Sequence, residues 1–448
     1  MKFWMTLALT CFLPLSVWAQ GSAPVSVVAV GQAQDEKDKV GFGPLGGSLS
    51  GSQSKIVEEI STLLKNDFAF YKHRFDSIEI TTPFASPNWT EWSEKGFQYL
   101  VGFKTRGSGN GVEITAEVWN ISQKRSLGAA SVSASGTSVR DQGHKLANSI
   151  YKLMTGKDGI FQAKIVFVSD RSSFGRDTRK ELYSMDFDGR RVERLTFFNS
   201  TVISPAVSPD NRKVMFSLIQ DHTQRSGARN IQTKNIDLKE YEFGSKKFTT
   251  IANNPGVNSG AVYSADGKSI YFTMTTSGNA DIYEMNLGGG RPRKITTHYG
   301  EDVDPTVTAD GTRMSFLSNR PGRAHIFLAD PRGTEKDIQR ISFVGQFNAT
   351  PRFSPDGKEI VFVSWVDNNF DLYRIDSAGS NLVRLTKDFG SNEEPWYSPD
   401  GEFIIFTSQR VLSRKEALQD IYIMNREGEV LGQLTQGFGR CFSPRWSN

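Results

Sequence analysis

Cysteine is nearly absent: the 448 residues hold two, Cys11 and Cys441. Cys11 lies in a segment that reads as a removable leader, and a single remaining thiol cannot form an internal disulfide. The fold must therefore rest on a large apolar core, and Cys441 beside Phe442 reads as a small buried hydrophobe. After Ala19 no apolar run approaches the roughly 20 residues needed to cross a bilayer as a helix. The formal charge is only +4 and is spread along the chain, which excludes a nucleic-acid footprint. Catalytic signatures are missing too. There is no G-x-S-x-G, and the five His show no H-E-x-x-H spacing. A G-x-G-x-x-G match at Gly41, Gly43 and Gly46 is a decoy, because Pro44 removes an N–H and the next helical stripe starts only at Ile56.

The opening MKFWMTLALTCFLPLSVWAQ has Lys2 ahead of an apolar stretch. Val17 and Ala19 stand at the −3 and −1 positions of a cleavage site before Gln20, so residues 1–19 read as a secretory signal peptide. An exported protein with one thiol and a large core fits the bacterial periplasm.

What the chain does have is a repeat. The stretch FSPDGKEIVF recurs as AVSPDNRKVMF, VYSADGKSIYF, TVTADGTRMSF and WYSPDGEFIIF, with Asp210, Asp266, Asp310, Asp356 and Asp400 in register. Pro presets φ, Asp bonds nearby backbone and Gly accepts positive φ, so each copy is a strand, a tight turn and a second strand. Between the copies a second hairpin recurs, as in DIYEMNLGGGRPRKITT and DLYRIDSAGSNLVRLT. Four strands, a to d, in about 45 residues make a β-propeller blade. Phe167, Phe216, Phe272, Phe316, Phe362 and Phe406 occupy one position of strand b and predict six blades. The first b strand lacks an a strand before it, and GRCFSPRWSN at the end lacks a b strand after it. The last segment is therefore expected to close the ring. The turn Asp residues are structural, since Asn211, Ala265 and Ala309 break the motif.

Residues 20–158 have a different period. Ile56, Val57, Ile60, Leu63 and Leu64 predict a helix over 55–66, with Ser54 as N-cap. Strands are predicted over 75–81 and 126–134, a hairpin over 98–119, and a second helix over 141–154. The fold class is thus an α/β N-terminal domain, 20–158, followed by an all-β six-bladed β-propeller, 159–448.

Signal peptide, small α/β domain and propeller together resemble the TolB family, the periplasmic components of the Tol–Pal system of Gram-negative bacteria. The junction LMTGKDGIFQAKIVFV and the closing strand with Ser443-Pro444 carry the likeness most specifically. The resemblance implies a non-enzymatic adaptor without cofactor, metal or nucleic acid. Its propeller would bind a Pal-like peptidoglycan-associated lipoprotein, and its N-terminal segment a TolA-like inner-membrane protein. The system supports outer-membrane integrity and constriction during cell division.

For the propeller, Asn258, Asp304, Asn348, Glu393 and Glu394 are the candidates for the lipoprotein. The position four residues before each turn Ser or Thr reads as the mouth of strand a. It holds Ser204, Gly260, Asp304, Thr350, Glu394 and Gly439. As loop mouths, Asp304 and Glu394 should be replaceable without loss of stability. For the TolA-like partner, Val25, Val27, Val28 and Val30 of PVSVVAV suit strand addition to a partner sheet. The alternative is a carbohydrate-binding or glycosidase propeller, which needs two carboxylates roughly 5–10 Å apart; Asp304 and Glu394 are the pair that could converge.

Overall fold

The computed structural model describes residues 37–447, except 85, 175–177, 227–228, 334–336 and 414–415. The signal peptide and Val25 to Val30 lie outside the described residues.

The chain opens with β1 (Asp38–Phe42), α1 (Gly51–Phe70), β2 (Phe75–Glu79) and α2 (Trp89–Glu94). It continues through β3 (Tyr99–Ser108), β4 (Gly111–Asn120), β5 (Arg125–Ala134) and α3 (Val139–Thr155). The sheet order is β2-β1-β3-β4-β5. β1 runs parallel to both neighbours, and β3 to β5 form an antiparallel meander. β1 is the strand that sequence reasoning missed, and it contains the first Gly of the decoy motif. A Cβ on Gly41 would lie 2.4 Å from Ile80 Cδ1 and 2.7 Å from Leu100 Cδ2. This glycine exists for close packing.

α1 begins one turn earlier than expected. Ser50, not Ser54, is the N-cap, in a capping box with Gln53, whose Oε1 accepts from Ser50 N at 2.9 Å. The helix also runs past Asn66, because Phe68 extends the buried stripe of Val57, Ile60 and Leu64. α3 stops at Gly156, whose φ of 77° lies in the left-handed region that glycine adopts without a Cβ clash.

From Lys164 onward the chain forms six four-stranded antiparallel sheets. Blade 1 comprises Lys164–Arg194 plus Cys441–Trp446; blades 2 to 6 run Thr201–Ala252, Asn258–Lys294, Asp302–Arg340, Asn348–Arg384 and Ser391–Gln433. Strand a is the inner edge of each blade. The six strand-b phenylalanines are all fully buried between blades.

The expected closure is present. Cys441–Trp446 pairs with Lys164–Ser169, and the seam also rebuilds the repeat's turn. In the intact copy, Ser354 Oγ accepts from Glu359 N at 3.0 Å and Ser354 N donates to Glu359 O at 2.9 Å. At the seam, Ser447 Oγ accepts from Lys164 N at 2.7 Å and Ser447 N donates to Lys164 O at 2.7 Å. The serine of the missing turn is thus supplied from the other end of the chain.

The helical layer sits on the face that carries the a–b and c–d turns. Tyr71, fully buried, donates its hydroxyl to Asp400 at 2.5 Å and accepts from Ile160 N at 2.9 Å. Arg140 reaches Asp186 at 3.2 Å and Asp188 at 2.5 Å. One apolar cluster runs without a break from Ile60 and Phe68 through Tyr151 and Phe161 to Phe187 and Phe403. The d–a and b–c connections form the opposite face.

Candidate functional site

Every inner strand is bulged at the same place. Ser204, Gly260, Asp304, Thr350, Glu394 and Ser443 all have φ between 47° and 64°. All but Gly260 precede a proline, which has no N–H to lose where pairing is interrupted. These residues meet around the axis. A Cβ on Gly260 would lie 3.8 Å from Asp304 Cα, and Glu394 Oε1 accepts from Ser443 Oγ at 2.5 Å.

Two sequence expectations are corrected here. These positions are not loop mouths but bulges inside strands that line the channel. The sixth member is Ser443 and not Gly439, because Ser443-Pro444 aligns with Thr350-Pro351 and not with the turn Ser-Pro.

The channel carboxylates are engaged. Asp304 binds the buried Arg352 at 2.7 Å. Glu394 also accepts from Ser443 N and from Thr407 Oγ1. Arg352 and Arg445, two residues past their bulges, both stack on Trp396, at 5.1 Å and 4.5 Å from its ring centre. Burial, reinforced by Arg352, pulls the Arg445 guanidinium down to about 9.

Glu393, half-buried beside this cluster, differs. Burial first, then the Glu394 charge, raises its carboxyl to about 7. The folded state therefore holds a proton that the unfolded state releases near the model-peptide value of about 4.3. That stability is present at acid pH and lost as pH rises through 7. Glu393→Gln should accordingly raise the melting temperature more at pH 8 than at pH 5. Equal shifts in thermal melts at both pH values would contradict the assignment.

Asn258 and Asn348 are fully buried, which corrects their expected place on an accessible rim. Asn258 Nδ2 donates to Ile236 O at 2.9 Å, and Asn348 Nδ2 to His325 Nδ1 at 2.8 Å. Each stands two residues before a bulge, where Val202, Asp302, Asn392 and Cys441 stand in the other blades, all fully buried. Cys441 thus holds a repeat position, and burial pushes its thiol up to about 12.

The outer face has a feature that sequence reasoning did not find. Phe174, Phe197, Tyr299, Phe343, Trp365, Val411 and Leu418 are exposed, Phe174 and Tyr299 each at 85%. Phe174, Phe197, Tyr299 and Phe343 lie on d–a or b–c connections, and Trp365, Val411 and Leu418 at the b–c ends of strands b and c. Among the described residues, the only other exposed large apolar side chains are Val192 and Phe248. The spacing of these residues in the chain hides that they share a surface. Two b–c hairpins also project here, Lys213–Ser226 with Arg229–Glu242 and Phe403–Ser413 with Glu416–Asn425. They belong to blades 2 and 6, the two neighbours of blade 1.

Among the described residues no three His, Cys, Asp or Glu side chains come together as a metal site requires. No described helix is long and apolar enough to cross a membrane.

A family model described as the TolB beta propeller domain matches residues 151–369 and 346–413. The Protein TolB homolog of Chlorobium luteolum is 30% identical over 352 residues, 79% of this chain and 75% of that protein. The Protein TolB homolog of Chlorobium chlorochromatii is 30% identical over 225 residues, 50% of this chain and 47% of that one. Among solved structures, TolB from Acinetobacter baumannii superposes with a TM-score of 0.72 at 23% identity, covering 93% of this chain and 98% of that one.

Proposed function

Because this chain belongs to the TolB family, we propose that it is a non-enzymatic periplasmic adaptor of a Tol–Pal envelope complex. The outer face of its propeller binds a peptidoglycan-associated lipoprotein. The segment containing Val25, Val27, Val28 and Val30 binds a TolA-like inner-membrane protein by strand addition. Through these partners it supports outer-membrane integrity and constriction at division.

The observation that carries the reading is the concentration of exposed aromatic and aliphatic side chains on one face around the channel mouth. Contiguous exposed apolar surface rimmed by polar groups is characteristic of protein-binding sites. A glycosidase reading is weakened by the same geometry. Asp304 is held by Arg352 and Glu394 by Ser443, so neither is free to act as acid or base.

The test is calorimetric titration of the mature chain with the soluble domain of a peptidoglycan-associated lipoprotein from the same organism. Binding is expected, weakened at least tenfold by Phe343→Ser with Tyr299→Ser. Absence of binding to the parent protein would overturn the reading.

A further inference from the structure

Three blades share one internal ion pair between strands c and d, and blade 4 keeps only its cation. The strand-c residue two positions before the one paired with the strand-b phenylalanine is acidic in five blades: Glu181, Asp237, Asp281, Asp371 and Asp420. Where strand d supplies a cation, the two pair. Arg194 meets Glu181 at 3.1 Å, Lys294 meets Asp281 at 2.7 Å and Arg384 meets Asp371 at 2.6 Å. Blade 4 keeps the cation as Arg340 but has His325 in place of the acid.

Arg340 is built like its counterparts. Its Nε donates to Ser342 O at 2.7 Å, as Arg194 Nε does to Thr196 O and Arg384 Nε to Thr386 O. The guanidinium is therefore aimed as in the paired blades, yet among the described residues it meets no carboxylate. His325 cannot substitute. Its Nδ1 accepts from Asn348, and burial, Arg340 and Arg323 hold the ring down at about 4. At neutral pH it is an uncharged ring with its proton on Nε2, a donor and not an anion. Arg323, exposed on the adjoining b–c turn, adds a second cation with no ion-pair partner among the described residues. Phe343, 70% exposed, stacks on Arg340 at 4.6 Å.

Two guanidinium groups, an imidazole N–H and an exposed aromatic ring thus surround a place where the rest of the propeller puts a carboxylate. We propose that this site on blade 4 accepts an Asp or Glu side chain of the docking protein, which completes in trans the ion pair that the blade lacks. The inference rests on the outer face being the partner surface and names the chemistry read there. A bidentate, charge-assisted contact to a planar guanidinium also fixes orientation, which an apolar ring alone does not.

The discriminating variant is His325→Asp, which gives blade 4 the acid that the other blades have. It should raise the melting temperature by pairing Arg340 internally, and lower affinity for the lipoprotein domain at least tenfold. Arg340→Gln with Arg323→Gln should lower affinity similarly without the gain in stability. A purely structural site would show the stability change alone: a raised melting temperature with affinity within twofold of the parent would overturn the proposal. If the parent does not bind the lipoprotein domain, the reading of the partner fails, and a hexaglutamate peptide then tests the site directly. Peptide binding that His325→Asp abolishes upholds it, and no binding to the parent overturns it.

Discussion

A chain ending at Phe438 is expected not to yield a cooperatively melting monomer. The truncation removes the inner strand Cys441–Trp446 and exposes the edge of Lys164–Ser169. Cys441 is fully buried and Trp446 is 2% exposed; losing a buried Trp side chain alone costs about 3–5 kcal/mol. Arg445 leaves Trp396, and Glu394 loses both contacts to Ser443. Against a total stability of about 5–15 kcal/mol, these losses consume most of what holds the ring together. The unpaired edge then recruits other chains. Calorimetry and size-exclusion chromatography would show a lost or strongly broadened transition and aggregation. A single transition at the parent's temperature would refute closure by this strand. Within the full chain, Ser447→Ala should cost about 0.5–1.5 kcal/mol, because it removes the hydrogen bond from the exposed Lys164 N–H.

The second large effect concerns Asp304→Lys combined with Glu394→Lys. Read as loop mouths, these positions should tolerate the change; read as channel bulges, they should not. Asp304→Lys places a cation beside the buried Arg352, whose side chain is 5% exposed. Glu394→Lys places another near the buried Arg445 and removes the acceptor for Ser443. Breaking the buried Asp304–Arg352 pair from one side costs about 3–5 kcal/mol, and the second cation and the lost Ser443 acceptor add to it, against a margin of about 5–15 kcal/mol. The double variant should fail to accumulate as folded protein, whereas Asp304→Asn with Glu394→Gln should fold with a denaturation midpoint lowered by a loss of about 1–3 kcal/mol for each site. Urea titration distinguishes the two. An unchanged midpoint in the lysine variant would return these residues to the solvent.

How much of this was legible follows from what repeats locally. Blade number, turn chemistry and closure came from strand-b phenylalanines in register and from Ser-Pro-Asp-Gly, features written within ten-residue windows. β1 was not legible, because DKVGF has one β-branched residue and a glycine whose purpose is contact with Ile80 and Leu100. The bulge was half-legible. The residue-proline pairs were visible, but not that they sit within strands, and the seam hid that Ser443 and not Gly439 continues the series. The aromatic outer face and the unpaired Arg340 were out of reach for a different reason. Each joins side chains from separate blades or strands, and no single window of sequence contains both members. The substitution of His325 for an acid was nevertheless visible in the aligned repeats, had the residue two positions before the aromatic of strand c been compared.

The seam has a consequence in time as well as in space. Lys164 and Ser447, which exchange hydrogen bonds, are 283 residues apart in the chain. Strand b of the first blade is made early, and its inner neighbour follows the other five blades in the chain. The ring therefore cannot close before Cys441–Trp446 has been made, however well its middle blades form. Until then blade 1 is a three-stranded sheet with an open edge, and the completing step waits on the slowest class of contact, a long-range strand pairing. A chain with this order of parts remains incompletely folded, and so threadable, until that strand pairs.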